Sequence, residues 1–339
     1  MPNAVRAAII GIRAAEAAGG GALTRPEPRG LSPHVRHRPM PGRPRHRARG
    51  GREQIRVNRM SSTRFVRPVP PVVAYIGGKR KLTPKILPWI EAAEHACYVE
   101  PFVGMGGVFL QRRLAPPVEV INDWGRDVAT FFRVLQRHYV AFTEMVRFQI
   151  TSRREFERLA DTDPSTLTDL ERSARFLYLQ ACAFGGKPAG RTFGVSRETF
   201  HGFDFTRLSP LLEAVHDRLS GVVIENLPYH EVIARYDGPS TLFYLDPPYY
   251  ESENDYGKGL FGRDDFARLA AQLAGLQGRF ILSLNDHPAV RAIFAAFHVE
   301  ALSHTYTIAR EDAKAVTELL FLGPAGREWQ PVRAQGALL

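Results

Sequence analysis

The chain has 339 residues, 44% of them hydrophobic, which is enough for one large domain or two ordinary ones and excludes a protein disordered throughout. Its two cysteines exclude a disulfide framework or a four-cysteine zinc site and suit a reducing, cytoplasmic setting, and no run of 18 apolar residues reads as a membrane span. The net charge of +10 sits in residues 1–59, with 13 arginines, no lysine and three acids; the rest balances 32 basic against 32 acidic side chains.

Taken in order, residues 1–70 read as a disordered basic tail rich in Arg, Pro and Gly, a composition that cannot offset the entropy of ordering. Two readings stay open for it: an arm that holds phosphates, or a segment upstream of a true start at Met60. From about Val72 the pattern becomes α/β. Short β-branched or apolar runs at Cys97–Phe102, Val118–Asn122, Gly221–Glu225, Thr241–Leu245 and Phe280–Leu284 predict buried parallel strands. Val299–Ile308 and Val316–Leu322 suit an antiparallel end, and the apolar spacing of Asp265–Leu276 predicts a helix. Strands alternating with helices imply a doubly wound sheet with ligands at the strands' carboxyl ends. The halves 71–135 and 219–325 form the catalytic domain, with 326–339 a C-terminal tail. About 100 residues separate the second strand from the third, far more than a crossover needs, so 136–218 is expected to be an inserted subdomain, helical to about Phe184 and then a Gly- and aromatic-rich loop.

The first strand runs into Glu100-Pro-Phe-Val-Gly104-Met-Gly106-Gly107, glycines that let backbone approach a ligand closely. The second ends in Asn122-Asp123, where an acid can accept from both hydroxyls of a ribose. Together they imply an adenosine-containing cofactor; the alternative for Asp123 is the N-cap of the following helix. The strongest feature is Asp246-Pro247-Pro248-Tyr249, directly after a buried strand. Two prolines stiffen the loop and remove two donors. The Asp246 carboxylate and the Pro247 carbonyl could hold the two hydrogens of an unreactive planar amine, and Tyr249 offers a ring face for an extruded base. The histidines show no paired ligand spacing, so no metal is expected.

From about Ala74 to Leu322 the chain resembles the Dam-like family of adenine-N6 DNA methyltransferases. The motifs that carry this stand in that family's order: Tyr75-Ile-Gly-Gly-Lys79, Glu100–Phe109, Asn122-Asp123 with Asp127, Phe176–Lys187, Arg191–Ser196, Asp246–Tyr249 and Ser283–Asp286. The resemblance implies a seven-stranded S-adenosylmethionine-dependent methyltransferase fold in which 136–218 recognises the target. It implies S-adenosylmethionine held by Tyr75, Lys79, Glu100, Phe102, Gly104, Gly106 and Asp123, with Lys79 near the cofactor's carboxylate and Asp246, Pro247, Pro248 and Tyr249 catalytic. Where that family often places an acid after the third strand, this chain has Pro228, and Asn226 becomes the candidate for the polar role. The partner would be double-stranded DNA and, in a restriction setting, a cognate endonuclease; the oligomeric state stays open.

Lys187, Arg191 and Arg197, interleaved with Phe193, Phe200, His201, Phe203 and Phe205, suit phosphate contact beside a flipped base; the alternative is a loop whose aromatics enter the core. Tyr249–Gly262 could close over the base as a lid, and the simpler reading of it is a solvated loop. Rival readings are a methyltransferase acting on cytosine N4, RNA adenine or a glutamine amide, and a catalytically silent DNA-binding protein of the same fold.

Overall fold

The computed structural model describes residues 63–186, 190–194, 202–253, 259–306 and 314–324; the arginine-rich tail lies outside them. The elements run β1 (Arg64–Phe65), α1 (Thr83–Ala92), β2 (Cys97–Glu100), β3 (Leu114–Ala115), β4 (Val118–Asn122) and α2 (Arg126–Arg137). Helices α3 (Tyr139–Val146), α4 (Arg153–Asp161), α5 (Asp169–Cys182) and α6 (Phe205–Arg218) follow. The chain then returns through β5 (Val223–Glu225), α7 (Tyr229–Tyr236) and β6 (Thr241–Leu245). It ends with α8 (Arg263–Ala274), β7 (Arg279–Asn285), α9 (Pro288–Ile293), β8 (His298–Tyr306) and β9 (Lys314–Gly323).

Seven strands form one sheet in the order β5-β4-β2-β6-β7-β9-β8. The first five are mutually parallel, and β9 runs antiparallel to both its neighbours. Because successive side chains point to opposite faces, both faces must be apolar where helices cover both. Tyr98, Ile121, Leu242, Tyr244 and Ile281 join one core with α2 and α5, while Val99, Val120, Phe243, Leu245 and Phe280 join the other with α7 and α8. The fold is therefore the doubly wound α/β sheet expected, with strand ends within one or two residues of the predicted ones.

Two helices depart from expectation. Helix α6 occupies the second half of what the composition suggests is a loop, with Leu208, Leu212 and Val215 buried at helical spacing and the Asp204 side chain accepting from Thr206 N–H. Pro210 inside it hides the pattern, since proline ordinarily argues against a helix interior. Helix α1 is masked in the same way by Pro84, in its first turn, and Pro88.

Within the long interval, α5 is the spine. A capping box at Thr168 and Glu171 starts it, satisfying N–H groups at both positions. Near its end the buried Gln180 amide donates to the carbonyls of Ala74 and Gly186 at 2.9 and 2.5 Å. The inserted helices thus brace the strip that leads into Tyr75.

Candidate active site

The strand order reverses beside β2: the chain passes outward to β4 and β5, then returns to β6 on the other side. Such a switch point opens a crevice at the carboxyl ends of the strands. A cleft of about 1130 Å³ lies there, and Tyr75, Lys79, Glu100, Phe102, Gly104, Asp123, Trp124, Asp246 and Pro248 line it.

At one end, Gly104 and Gly106 adopt positive φ angles of 50° and 76°. A Cβ on Gly104 would meet the Tyr75 ring at 3.2 Å, so the turn needs glycine for both conformation and space. This turn presents Gly104 N–H to Asp123 Oδ2 at 3.0 Å, while Gly125 N–H reaches Oδ1 at 2.7 Å. Burial pushes the Asp123 carboxyl up to about 6 against the pull of those two N–H groups. Helix α2 takes Gly125 as its N-cap, so Asp123 does not cap it, and Asp127 pairs with Arg172 at 2.6 Å. Beside Asp123, the Trp124 ring stays 42% exposed in the cleft wall, a large aromatic left open to a ligand.

Glu100 ends β2 on the cleft floor, 2% exposed, and accepts from the Tyr98 hydroxyl at 2.9 Å. Burial drives its carboxyl up to about 8. A buried carboxyl facing a cleft with a phenol as its donor fits a cationic ligand. With a carboxylate for hydroxyls at Asp123 and an aromatic at Trp124, the set fits a positively charged nucleoside.

At the other end, Asp246 follows β6 directly. Its Oδ1 receives the Lys79 ammonium at 2.7 Å and the Ser283 hydroxyl at 3.1 Å; among the described residues Oδ2 meets no donor. Burial raises this carboxyl to about 6; Lys79 opposes the rise and Glu318 adds to it. Lys79 is 3% exposed and sits 2.8 Å from Glu318 Oε1, off the hydrogen-bonding direction of that oxygen. It also donates to the Tyr249 hydroxyl, which donates in turn to Glu318 Oε2 at 2.6 Å. Burial works against the ammonium, but Asp246, Tyr249 and Glu318 outweigh it and hold its pKa well above the usual lysine value.

These positions correct several expectations. Lys79 is buried, and its ammonium meets Asp246 and Tyr249 with the Glu318 carboxylate beside them, so charges of the protein itself surround it. Tyr249 does not act through its ring face alone, because its hydroxyl bridges Lys79 and Glu318. Both prolines are buried, and Pro248 lines the cleft. The Asn226 amide donates to the carbonyls of Asp123 and Trp124 at 2.7 and 3.3 Å, so it steadies the loop that carries them and does not line the cleft. Phe102 does line it, packed against Tyr229 and Phe261 with centroids 5.5 and 5.8 Å apart.

Of the three basic residues expected on DNA, Lys187 and Arg197 lie outside the described residues. Arg191 points inward, its Nε buried without a partner and its Nη2 3.5 Å from Gln180 Oε1. Phe203 is buried in the core against Tyr178, and the partly buried Phe193 packs on its edge against Phe156, which favours the alternative reading of that stretch. In the candidate lid, Tyr250 is stacked on His287 and covered by Arg263, and Phe261 is buried; residues 254–258 lie outside the description.

Sequence reasoning missed Glu318 and Trp124. Glu318 interrupts the apolar run from Val316 to Leu322, and an acid inside a buried strand is itself a signal of a charged partner.

A sheet crevice with a glycine turn at one strand end and a braced Asp-Pro-Pro-Tyr loop at another defines an α/β transferase. The family model for D12 class N6 adenine-specific DNA methyltransferases matches residues 75–308, and the chain belongs to that family. It is an enzyme that methylates adenine in DNA. Over 233 residues it is 19% identical to the Type II methyltransferase M.CviBI of Paramecium bursaria Chlorella virus NC1A, covering 68% of this chain and 88% of that protein. Among solved structures, precorrin 8W decarboxylase of Methanobacterium thermoautotrophicum aligns with a TM-score of 0.33 and 12% identity, covering 76% of this chain and 100% of that one.

Proposed function

We propose that the methyl donor is S-adenosylmethionine and that the acceptor is an adenine swung out of the DNA duplex, its N6 held by Asp246 and the Pro247 carbonyl. One observation carries this reading: a single cleft joins Asp123 and Trp124 at the end of β4 to Asp246 at the end of β6, past Glu100 and the glycine turn. Bound there, the cofactor supplies a methyl group made electrophilic by a sulfonium. Asp123 has an open lone pair on each oxygen for the ribose hydroxyls, Trp124 offers a face to the base, and Glu100 offers a carboxyl that a cation placed beside it would draw into its charged form.

Asp246 retains 18% side-chain exposure at the bottom of a crevice, and N6 within a base pair cannot reach it, so the base must leave the stack. Oδ2, which meets no donor among the described residues, then accepts one N6 hydrogen. That bond strengthens as the nitrogen turns from planar to tetrahedral, so it favours the transition state over the bound base. Proximity and alignment carry most of the remaining rate. The inserted helices, tied to the cleft wall through Gln180, are the target-recognition region on this reading. Likeness to a Type II methyltransferase is in keeping with a cognate restriction endonuclease as partner in the cytoplasm.

The test combines calorimetric titration with S-adenosylmethionine and transfer of its labelled methyl to double-stranded DNA, followed by digestion to nucleosides. Saturable binding and labelled N6-methyladenine are expected. Failure to bind this donor would overturn the cofactor reading, and label on cytosine would overturn the role given to the loop.

A further inference from the structure

The geometry points to Glu318 as a positioning residue for methyl transfer: together with the Tyr249 hydroxyl it anchors Lys79, so that the ammonium takes only Oδ1 of Asp246 and leaves Oδ2 for the amine. This rests on the reading of Asp246 as the amine's acceptor.

Glu318 is 1% exposed on β9, and Leu319, Leu320, Phe321 and Leu322 after it are buried to the same degree. An acid in such a run is costly to desolvate, and a buried ion pair commonly gives no more stability than apolar residues of the same volume. A leucine would serve the core; it could not hold an ammonium. The sheet register sets Glu318 beside Asn285 of β7, whose amide clamps Tyr250 through its N–H at 3.0 Å and its carbonyl at 3.2 Å. Two residues back on β7, Ser283 donates to Asp246 Oδ1 and pairs with the Tyr244 hydroxyl at 3.0 Å. Strands β7 and β9 thus reach the catalytic loop together, and Glu318 is the charge they bring.

An ammonium is a compact point charge with three donors on a flexible stem. Facing Asp246 alone, it would slide between both carboxylate oxygens and occupy the lone pair the amine needs. Glu318 and Tyr249 hold it to one side.

Charged and titratable groups meet Asp246 from four elements besides its own: Lys79 ahead of α1, Glu100 on β2, Tyr244 on β6 and Glu318 on β9, with Tyr249 from the same loop. Activity requires the Asp246 carboxylate, so kcat/KM falls as pH drops through the Asp246 pKa. The negative charge of Glu318 favours the protonated form of Asp246, so its removal moves that acid limb to lower pH.

The experiment is the pH profile of methyl transfer by Glu318→Gln beside the wild type and Asp246→Ala. We expect kcat of Glu318→Gln lower by roughly 10- to 100-fold, with the KM for S-adenosylmethionine unchanged and the acid limb shifted down. A merely structural role would lower the active fraction at every pH and leave the limb in place, and that result overturns the inference. An active Asp246→Ala overturns the catalytic reading beneath it; an inactive one beside a Glu318→Gln of wild-type kcat and limb overturns this inference alone. If Glu318→Gln does not fold, Glu318→Asp carries the test, keeping the charge but withdrawing it by one methylene. Lower kcat per active site, counted by titration with S-adenosylmethionine, at an unchanged KM supports the inference; activity lost only in step with the active-site count, or wild-type kcat, overturns it.

Discussion

The two ends of the cleft are built by opposite means. At the end proposed for the nucleoside, the carboxylate of Asp123 is held by backbone N–H groups 2 and 19 residues away, and the shaping residues are glycines in one short turn. At the amine end the carboxylate of Asp246 is held by side chains. Lys79 and Tyr249 meet across 170 residues, Tyr249 and Glu318 across 69, and Ser283 and Asp246 across 37. Backbone dipoles position a group without placing a second charge near it. Buried side-chain charges position a group and also set its protonation, at the expense of desolvation. On the proposed function, the end that only binds uses the first device, and the end where bonds change uses the second.

The contrast breaks most sharply if the amine end is emptied. Asp246→Ala should lower methyl transfer by on the order of 10²–10³-fold or more, while S-adenosylmethionine affinity measured by calorimetry stays near wild type. Loss of cofactor binding in a folded Asp246→Ala protein would show that the two ends are not separable.

Removing the shared cation should be felt in the fold. Lys79→Met leaves Asp246 and Glu318 facing each other in the interior without a counter-charge. Breaking a buried pair in this way costs about 3–5 kcal/mol. A lower unfolding midpoint in denaturant is expected along with loss of activity, and an unchanged midpoint would mean that the pair is solvated in solution.

Asp123→Ala probes the other end. Each charge-assisted hydrogen bond lost is worth roughly 1.5–3 kcal/mol and two are lost, so cofactor affinity should fall by about 10²-fold or more. Transfer at saturating cofactor should change much less, which a kcat measurement at high S-adenosylmethionine would show.

Tyr249→Phe is a finer cut. It keeps the ring and removes the hydroxyl between Lys79 and Glu318, so kcat should drop by roughly tenfold. Activity equal to wild type would return Tyr249 to a purely stacking part.

The smallest effect is in pH. Burial raises the Asp123 carboxyl to about 6, and the neutral acid loses its charge-assisted bonds to the ribose. Cofactor affinity should therefore hold above pH 6 and weaken as pH falls through it, by about tenfold near pH 5. Titrations at pH 7.5 and 5 check the sign.

How much of this was legible in advance follows the same division. Strand positions could be read because parallel strands covered on both faces are continuous apolar runs, and Gly104, Asp123 and Asp246 because strand ends and turns are local. Helices α1 and α6 were obscured by Pro88 and Pro210, whose penalty is local while the packing that outweighs it is not. Arg191, read as a phosphate contact from its charge, turned inward because the core around Phe176 and Gln180 gave it a place. By itself the sequence determined the sheet strands, the glycine turn and the Asp-Pro-Pro-Tyr tetrapeptide, each encoded in residues only a few positions apart. Only the tertiary structure decided what Lys79, Tyr249 and Glu318 do, because a charge acts on whatever the strand register sets within a few ångströms of it, and no spacing along the chain records that distance.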